Sequence, residues 1–357
     1  MNTLLKSIFG EKGNRDLNVC SSVIGIYLAL AAANLGAWAW ALIAFHAHPV
    51  LLGTALLAYG FGLRHAVDAD HIAAIDNVTR KLMQDGKRPV AVGCFFSLGH
   101  STVVILASAA VALTANALQN RLEVFKAIGG IIGTSVSAFF LLLIAIMNIF
   151  ILAGTYRTFH RVRNGGRYSE EDLDMILARG GLLARVFRPL FRVIRESWHM
   201  YPLGFLFGLG FDTATEVALL AISATEASKG LPIWAVLVFP ALFTAGMCLV
   251  DTTDGVLMLG AYGWAFLNPI RKLFYNMTIT AVSVLVALLI GGIEAFGLIA
   301  DQFSLGGSFW RMIHGLNDNF GALGYLIIVI FAASWMLSMI VYRVKRYDEI
   351  VIAEPVE

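Results

Sequence analysis

The run His65-Ala66-Val67-Asp68-Ala69-Asp70-His71-Ile72 sets two imidazoles and two carboxylates inside a stretch otherwise apolar enough to cross a lipid bilayer. By insertion scales a single Asp at the centre of such a helix costs about 2.5–3.5 kcal/mol. A chain that folds around this cluster must satisfy it from within the membrane. One reading is a polar knot held by neighbouring helices. The other follows from the ligand set, since imidazole plus carboxylate suits a borderline divalent transition metal.

The rest of the chain fits a membrane setting. Its 357 residues are 58% hydrophobic and 14% charged, with a mean hydropathy of +0.75, whereas soluble domains run near ~25% charged. Segments long enough to span ~30 Å of hydrocarbon recur at 22–45, 50–78, 90–112, 128–153, 200–228, 233–262, 274–299 and 321–342. The expected fold is an all-α integral membrane protein of eight transmembrane helices, a single domain over 1–357. Spans one to four occupy 22–153, a basic loop 154–199, and spans five to eight 200–342. Spans two, five and six are interrupted by charge, and they hold the chemistry.

Met1 to Asp16 contains Lys6, Lys12 and Arg15 but no apolar core ending in a cleavage site, so the first span is expected to serve as its own insertion signal. Cys20, Cys94 and Cys248 lie in or beside apolar runs. An odd count without metal-ligand spacing argues against a disulfide framework. With the N-terminus inside, 21 of the 26 Lys and Arg fall in cytoplasmic segments, including Arg80, Lys81, Lys87 and Arg88 after span two. Only Arg121, Lys126, Lys229 and Arg311 fall outside, and Arg64 is intramembrane. That asymmetry places both termini in the cytoplasm, as expected of a multi-pass protein of the cytoplasmic (inner) membrane.

Within the 154–199 loop, Leu182 to Trp198 alternates apolar residues with Arg185, Arg188, Arg192 and Arg195. It reads either as an amphipathic helix on the anionic inner leaflet or as a solvated linker. Weak similarity links the flanking halves. Phe61-Gly62-Leu63 of span two matches Phe207-Gly208-Leu209 of span five, and Phe96 to His100 of span three parallels Phe243 to Met247 of span six. An offset of three spans reverses direction across the membrane, so a true repeat would be inverted, as in many secondary transporters.

On a regular helix His65, Asp68, His71 and Asp76 fall within an arc of about 140°, with Asp70 nearly opposite. Span two is therefore expected to depart from helical geometry between Gly60 and Asp70, with Gly60 and Gly62 permitting the break. Alternatively, Asp70 pairs with Arg64. Span three contributes His100 as a further ligand or a supporting residue. In span five Asp212, Thr215 and Glu216 stand at i, i+3 and i+4, one oxygen-bearing stripe. Span six adds Asp251 and Asp254, and span seven Asn276. Carboxylates spread over adjacent apolar spans, with almost no Lys or Arg to pair them, favour a cation pathway. His46 and His48, before Pro49, are candidates for metal capture at the outer face or simple polar caps.

Arg64 to Ile72, Phe96 to Val104, Leu209 to Glu216 and Gly246 to Asp254 together resemble the four signature motifs of the nickel/cobalt transporter family. All four occur in order around a long basic loop, so the resemblance covers nearly the whole chain. It implies eight spans, uptake of Ni²⁺ and in some members Co²⁺, and no nucleotide hydrolysis. It also implies that His65, Asp70 and His71 are indispensable, with Asp68 in the same signature. Val67, paired with Asn34 of span one, is similar to the nickel-preferring type. The metal ligands expected are thus His65, Asp68, Asp70, His71 and His100, with Val67 and Asn34 setting selectivity. Asp212, Thr215, Glu216, Asp251, Asp254 and Asn276 are expected to form the path.

The expected function is a secondary permease importing Ni²⁺, with the divalent ion and the lipid bilayer as partners and neither resident cofactor nor nucleic acid. No Gly-x-x-x-x-Gly-Lys-Ser/Thr run occurs in the sequence, which argues against direct ATP coupling. Two rivals stand beside it. A membrane metalloenzyme needs about three protein ligands and an open position, which His65, Asp70, His71 and His100 could supply, yet the carboxylates extend over further spans as a path would. An exporter of excess nickel or cobalt is the other, although the 154–199 loop holds only His160 and His199.

Overall fold

The computed structural model describes residues 14–114, 119–163, 194–209, 214–265 and 269–345, and among them the regular elements are helices throughout. In chain order these are α1 (Asn14–Phe45), α2 (Val50–His65), α3 (Ala69–Gln84), α4 (Val92–Thr114) and α5 (Gln119–Arg163). After a 3₁₀ turn at Ser197–His199 come α6 (Met200–Gly208), α7 (Ala214–Ser228), α8 (Ile233–Val236) and α9 (Val238–Ala265). The series ends with α10 (Pro269–Phe303), α11 (Ser308–Asn317) and α12 (Phe320–Val344).

Six stretches are long and apolar enough to cross a membrane: Val19–Phe45, Val92–Leu113, Gly130–Arg161, Ile233–Ala261, Leu273–Phe303 and Ala322–Val344. The bent pair α2 and α3 makes a seventh if taken as one span. Of the expected fifth span, 200–228, the described residues form α6 and α7, of 9 and 15 residues. Each is shorter than the ~20 residues that cross hydrocarbon unaided.

The departure from helical geometry in span two lies within the expected Gly60–Asp70 stretch, beyond the two glycines. The two helices meet at 51° across Ala66–Val67–Asp68. Val67 N donates to Arg64 O at 3.1 Å and Asp68 N to His65 O at 2.9 Å, a tightening to i→i+3 bonds. Asp68 then turns extended, at φ −67° and ψ 149°, and α3 begins. An Asp before a helix start is a favoured cap residue, here without a capping bond from its side chain. Gly62 serves packing instead. Its α-carbon sits against the Phe243 carbonyl of α9, where any Cβ would collide.

Two details add to the expected layout. α5 continues helically to Arg163 into the segment assigned to the 154–199 loop, with Phe159 buried 5.9 Å from the ring of Phe274. Arg80, counted among cytoplasmic loop charges, is only 1% exposed. α3 runs on to Gln84 and carries it inward, where it donates to Thr280 Oγ1 at 3.0 Å and Asn77 Oδ1 at 2.9 Å. Asn148 of α5 donates to that same Asn77 oxygen at 2.7 Å. Most of Leu182 to Trp198 lies outside the described residues.

The bundle is organised by three close pairs: α5 along α10, α4 along α6, and α2 along α9. The break between α2 and α3 lies where α4, α7, α9 and α12 converge.

Candidate metal centre

Five elements deliver the polar side chains. The end of α2 supplies His65, the first turn of α3 supplies His71, α4 supplies His100, α7 supplies Thr215 and Glu216, and α9 supplies Asp251. His65, His71, His100, Glu216 and Asp251 are each at most 3% exposed. One ligand nitrogen from each of His65, His71 and His100 lies within 4.8 Å of the others, and the ring centroids are 4.7–4.9 Å apart.

Three distances define the centre. His65 Nε2 and His100 Nε2 are 2.9 Å apart, His100 Nε2 and Glu216 Oε1 2.9 Å, and His65 Nε2 and Glu216 Oε1 4.0 Å. The three atoms therefore form a triangle with an angle of about 90° at His100. A ring nitrogen either donates or accepts, and one N–H shared between partners at right angles points at neither. A divalent cation shared by the three atoms would resolve the conflict. Two imidazole nitrogens and a carboxylate oxygen are donor types that suit a borderline transition metal such as Ni²⁺ or Cu²⁺.

The second layer is equally specific. His65 Nδ1 faces Asp68 Oδ2 at 3.0 Å and Thr215 Oγ1 at 3.3 Å. His71 Nδ1 faces Asp251 Oδ2 at 3.2 Å, an oxygen that also accepts from Ser97 Oγ at 2.6 Å. A carboxylate thus stands behind His65 and another behind His71, orienting those two rings, whereas His100 Nδ1 has no hydrogen-bond partner among the described residues. The Nε2 of His71 has no hydrogen-bond partner among the described residues, nor does Oδ1 of Asp251. Such orphaned buried atoms cost about 1–3 kcal/mol each. Phe96 stands edge-on to His71 at 4.8 Å and Phe243 lies 5.5 Å from His65, walling the imidazoles from lipid and water.

Of the five ligands expected from the sequence, His65, His71 and His100 come together. Asp68 stands behind His65 and also meets Arg64, at 3.4 Å, so Arg64 pairs with Asp68 rather than Asp70. Asp70 is half-buried, close enough to act electrostatically on both His65 and His71. Glu216, expected in the path, is in the first ring of donors. Asp254 neighbours Asp251 and Asp76, and Asp76 accepts from Ser283 Oγ at 2.7 Å. Asp212 lies outside the described residues, as does the side chain of Asn276 on α10. Asn34 touches neither imidazole nor carboxylate: it donates to Leu30 O at 2.8 Å and Ala245 O at 3.3 Å, and accepts from Tyr59 at 2.9 Å. Val67 packs toward α10 and α12, away from the ligands. His46 and His48 are exposed, and His46 Nδ1 lies 3.0 Å from Ile43 O. Phe96 and Ser97 open one of the four family motifs and Phe243 heads a repeat segment, but nothing in the sequence pointed to what these side chains face.

The profile of the family described as "High-affinity nickel-transport protein" matches residues 51–341, which takes in every donor of this centre. The chain belongs to the high-affinity nickel-transport protein family. It is 63% identical over 329 residues to the high-affinity nickel transport protein of Cupriavidus necator, covering 92% of this chain and 94% of that one. It is 50% identical to the nickel transporter NicT of Mycobacterium tuberculosis, over 84% of this chain and 80% of that one. It is 41% identical to the cobalt transport protein NhlF of Rhodococcus rhodochrous, over 83% and 84% respectively. No solved structure matches the chain. Membership in this family, with its apolar helices, makes the chain a multi-pass membrane protein of nickel-transporter type.

Proposed function

We propose that this chain imports Ni²⁺ into the cytoplasm as a secondary permease, accepting Co²⁺ less readily. The observation that carries the reading is the right-angled set of His65 Nε2, His100 Nε2 and Glu216 Oε1, with the orphaned Nε2 of His71 as the next donor. The relatives that are nickel transporters support the same cargo. Import of a divalent ion down a potential of about 150 mV releases about 7 kcal/mol, at ~2.3 kcal/mol per charge per 100 mV. That sustains a gradient of about 10⁵-fold without ATP.

In this reading the protein has eight spans, α6 and α7 together making the fifth, with both termini cytoplasmic in an inner membrane. The two halves are an inverted repeat. The ion binds at the break of span two and leaves past Asp251, Asp254 and Asp76, with Asp212 and Asn276 contributing further oxygen donors. Asp70 assists as a charge acting on His65 and His71. Val67 and Asn34 tune selectivity indirectly, Val67 through the backbone of the break and Asn34 by tying α1 to α2 and α9. The centre could in principle host a metalloenzyme, but an ion held by so many carboxylates in series is better suited to passage than to turnover.

The test is ⁶³Ni²⁺ uptake into cells expressing the chain, with and without a protonophore. Uptake that saturates with Ni²⁺, persists when ATP synthesis is blocked but the potential is kept, and collapses with the protonophore is expected. Energy-independent loss of preloaded ⁶³Ni²⁺ would overturn import in favour of export.

A further inference from the structure

α12, the last long helix, supplies no donor to the centre, yet it touches the centre's most irregular backbone. Gly324 is buried on α12. A Cβ built there would collide with the Val67 carbonyl oxygen, lie 2.8 Å from its carbon and stand 3.4 Å from Ala69 N. One α-hydrogen of Gly324 therefore points at that carbonyl, which accepts no backbone hydrogen bond from a described residue. Cα–H···O contacts of this kind recur where helices approach closely. Phe320, Leu323 and Ile327 of α12 press on the same segment, packing with Val67, Ala69, Ile72 and Ala73.

The two points of contact, Val67 O and Ala69 N, bracket Asp68. Asp68 in turn stands 3.0 Å from His65 Nδ1 and fixes which way its Nε2 faces. His71 follows Ala69 by two residues on the first turn of α3. The separation between His65 and His71 is thus set by where the break sits, and the break is seated on Gly324.

We infer that Gly324 is a positioning residue through which α12 sets the geometry of the metal centre and so the choice between Ni²⁺ and Co²⁺. Ni²⁺ and Co²⁺ share ligand tastes, so enforced geometry has to separate them. A methyl group at 324 forces Val67 to Ala69 away from α12 or α12 away from the break. Either movement rotates Asp68 against His65. The inference rests on the reading of the chain as a Ni²⁺ importer.

The experiment compares Gly324→Ala, Phe320→Leu and Gly297→Ala with wild type in intact cells, each normalised to protein in the membrane. Gly297 is a control at another helix contact, where the nearest atoms a Cβ would meet belong to the Asn317 side chain rather than to backbone. Phe320→Leu keeps an apolar residue while loosening the seat, and it decides the matter if Gly324→Ala fails to insert. The half-saturating Ni²⁺ concentration should rise by about tenfold in Gly324→Ala, the scale of supporting-residue effects on metal affinity. The Co²⁺ concentration that halves Ni²⁺ uptake should fall in both Gly324→Ala and Phe320→Leu but not in Gly297→Ala. A purely structural role would lower protein amount and leave that Co²⁺ concentration unchanged. Wild-type half-saturation and Co²⁺ inhibition in the inserted variants would overturn the inference. Absence of Ni²⁺ uptake by wild type would instead overturn the import reading on which it rests.

Discussion

In the first half of the chain, α2 leans on α9 where Gly62 abuts the Phe243 carbonyl; in the second, α6 leans on α4 where Gly204 abuts the Phe96 carbonyl. Phe96 and Phe243 are the residues that head the matching segments Phe96 to His100 and Phe243 to Met247. Each turns its ring on an imidazole, Phe96 on His71 and Phe243 on His65. Both pairs set a glycine against a phenylalanine carbonyl, although Gly208, which matches Gly62 in the sequence, lies one turn along against the His100 carbonyl, and their equipment differs. All the ring nitrogens, on His65, His71 and His100, come from the first half. The oxygens that meet them directly from across the divide, on Thr215, Glu216 and Asp251, come from the second. Imidazole prefers borderline transition metals, while carboxylate and hydroxyl also suit harder ions. In the proposed reading, the first half recognises the ion and the second half receives it.

The largest effects should come from removing the nitrogen half. His65→Ala, His71→Ala and His100→Ala should each lower ⁶³Ni²⁺ uptake more than about 100-fold while the protein still reaches the membrane, since each deletes a donor from a set of about four. A His100→Ala variant with near-normal uptake would break the division, because His100 sits at the right angle of the triangle.

Glu216→Gln is the corresponding cut in the oxygen half, and a smaller one. The amide keeps one oxygen and the volume but loses the charge opposite His65. The half-saturating Ni²⁺ concentration should rise by about 10–100-fold with maximal uptake partly retained. Asp251→Asn removes the carboxylate behind His71 rather than a donor, and about tenfold is expected for such a supporting residue. If Asp251→Asn proves as severe as His71→Ala, Asp251 is a donor itself, and its orphaned Oδ1 is the atom concerned.

How much of this division the sequence carried depends on distance along the chain. His65 and His71 were legible because six residues separate them in an apolar run, and the need for a break followed from helix geometry alone. Its place between Gly60 and Asp70 did not. Gly60 and Gly62 signal flexibility in a one-dimensional reading, but Gly62 is spent on close packing with α9, and the chain turns instead at Asp68, a good cap residue. Glu216 was legible as an intramembrane carboxylate but not as a donor, since its contact with His100 joins residues 116 apart. Arg80 looked like a loop charge because charge near a span's end normally is one. Only the polar faces of Asn77 and Thr280 reveal that α3 carries it inward.

The smallest expected effect sharpens the comparison at its periphery. Each leaning helix is pinned by one tyrosine hydroxyl. Tyr59 donates to Asn34 Oδ1 at 2.9 Å, and Tyr201 shares a hydrogen bond of 2.9 Å with Thr102 Oγ1. Asn34 is also held by Ala245 O, two residues from Phe243, so the first pin reaches toward the wall of the centre. Tyr201 is 39% exposed, and Thr102 Oγ1 also donates to Leu98 O at 2.7 Å, so that hydroxyl keeps a partner without the tyrosine. A partly buried hydrogen bond contributes about 0.5–1.5 kcal/mol, and its loss strands the Asn34 oxygen. Tyr59→Phe should therefore raise the half-saturating Ni²⁺ concentration by about two- to fivefold, and Tyr201→Phe should leave it unchanged within error. Equal effects at the two positions would mean that the tyrosines serve packing alone. The recognising half would then owe its sharper geometry to the seat of its break on α12 rather than to its tie to α1.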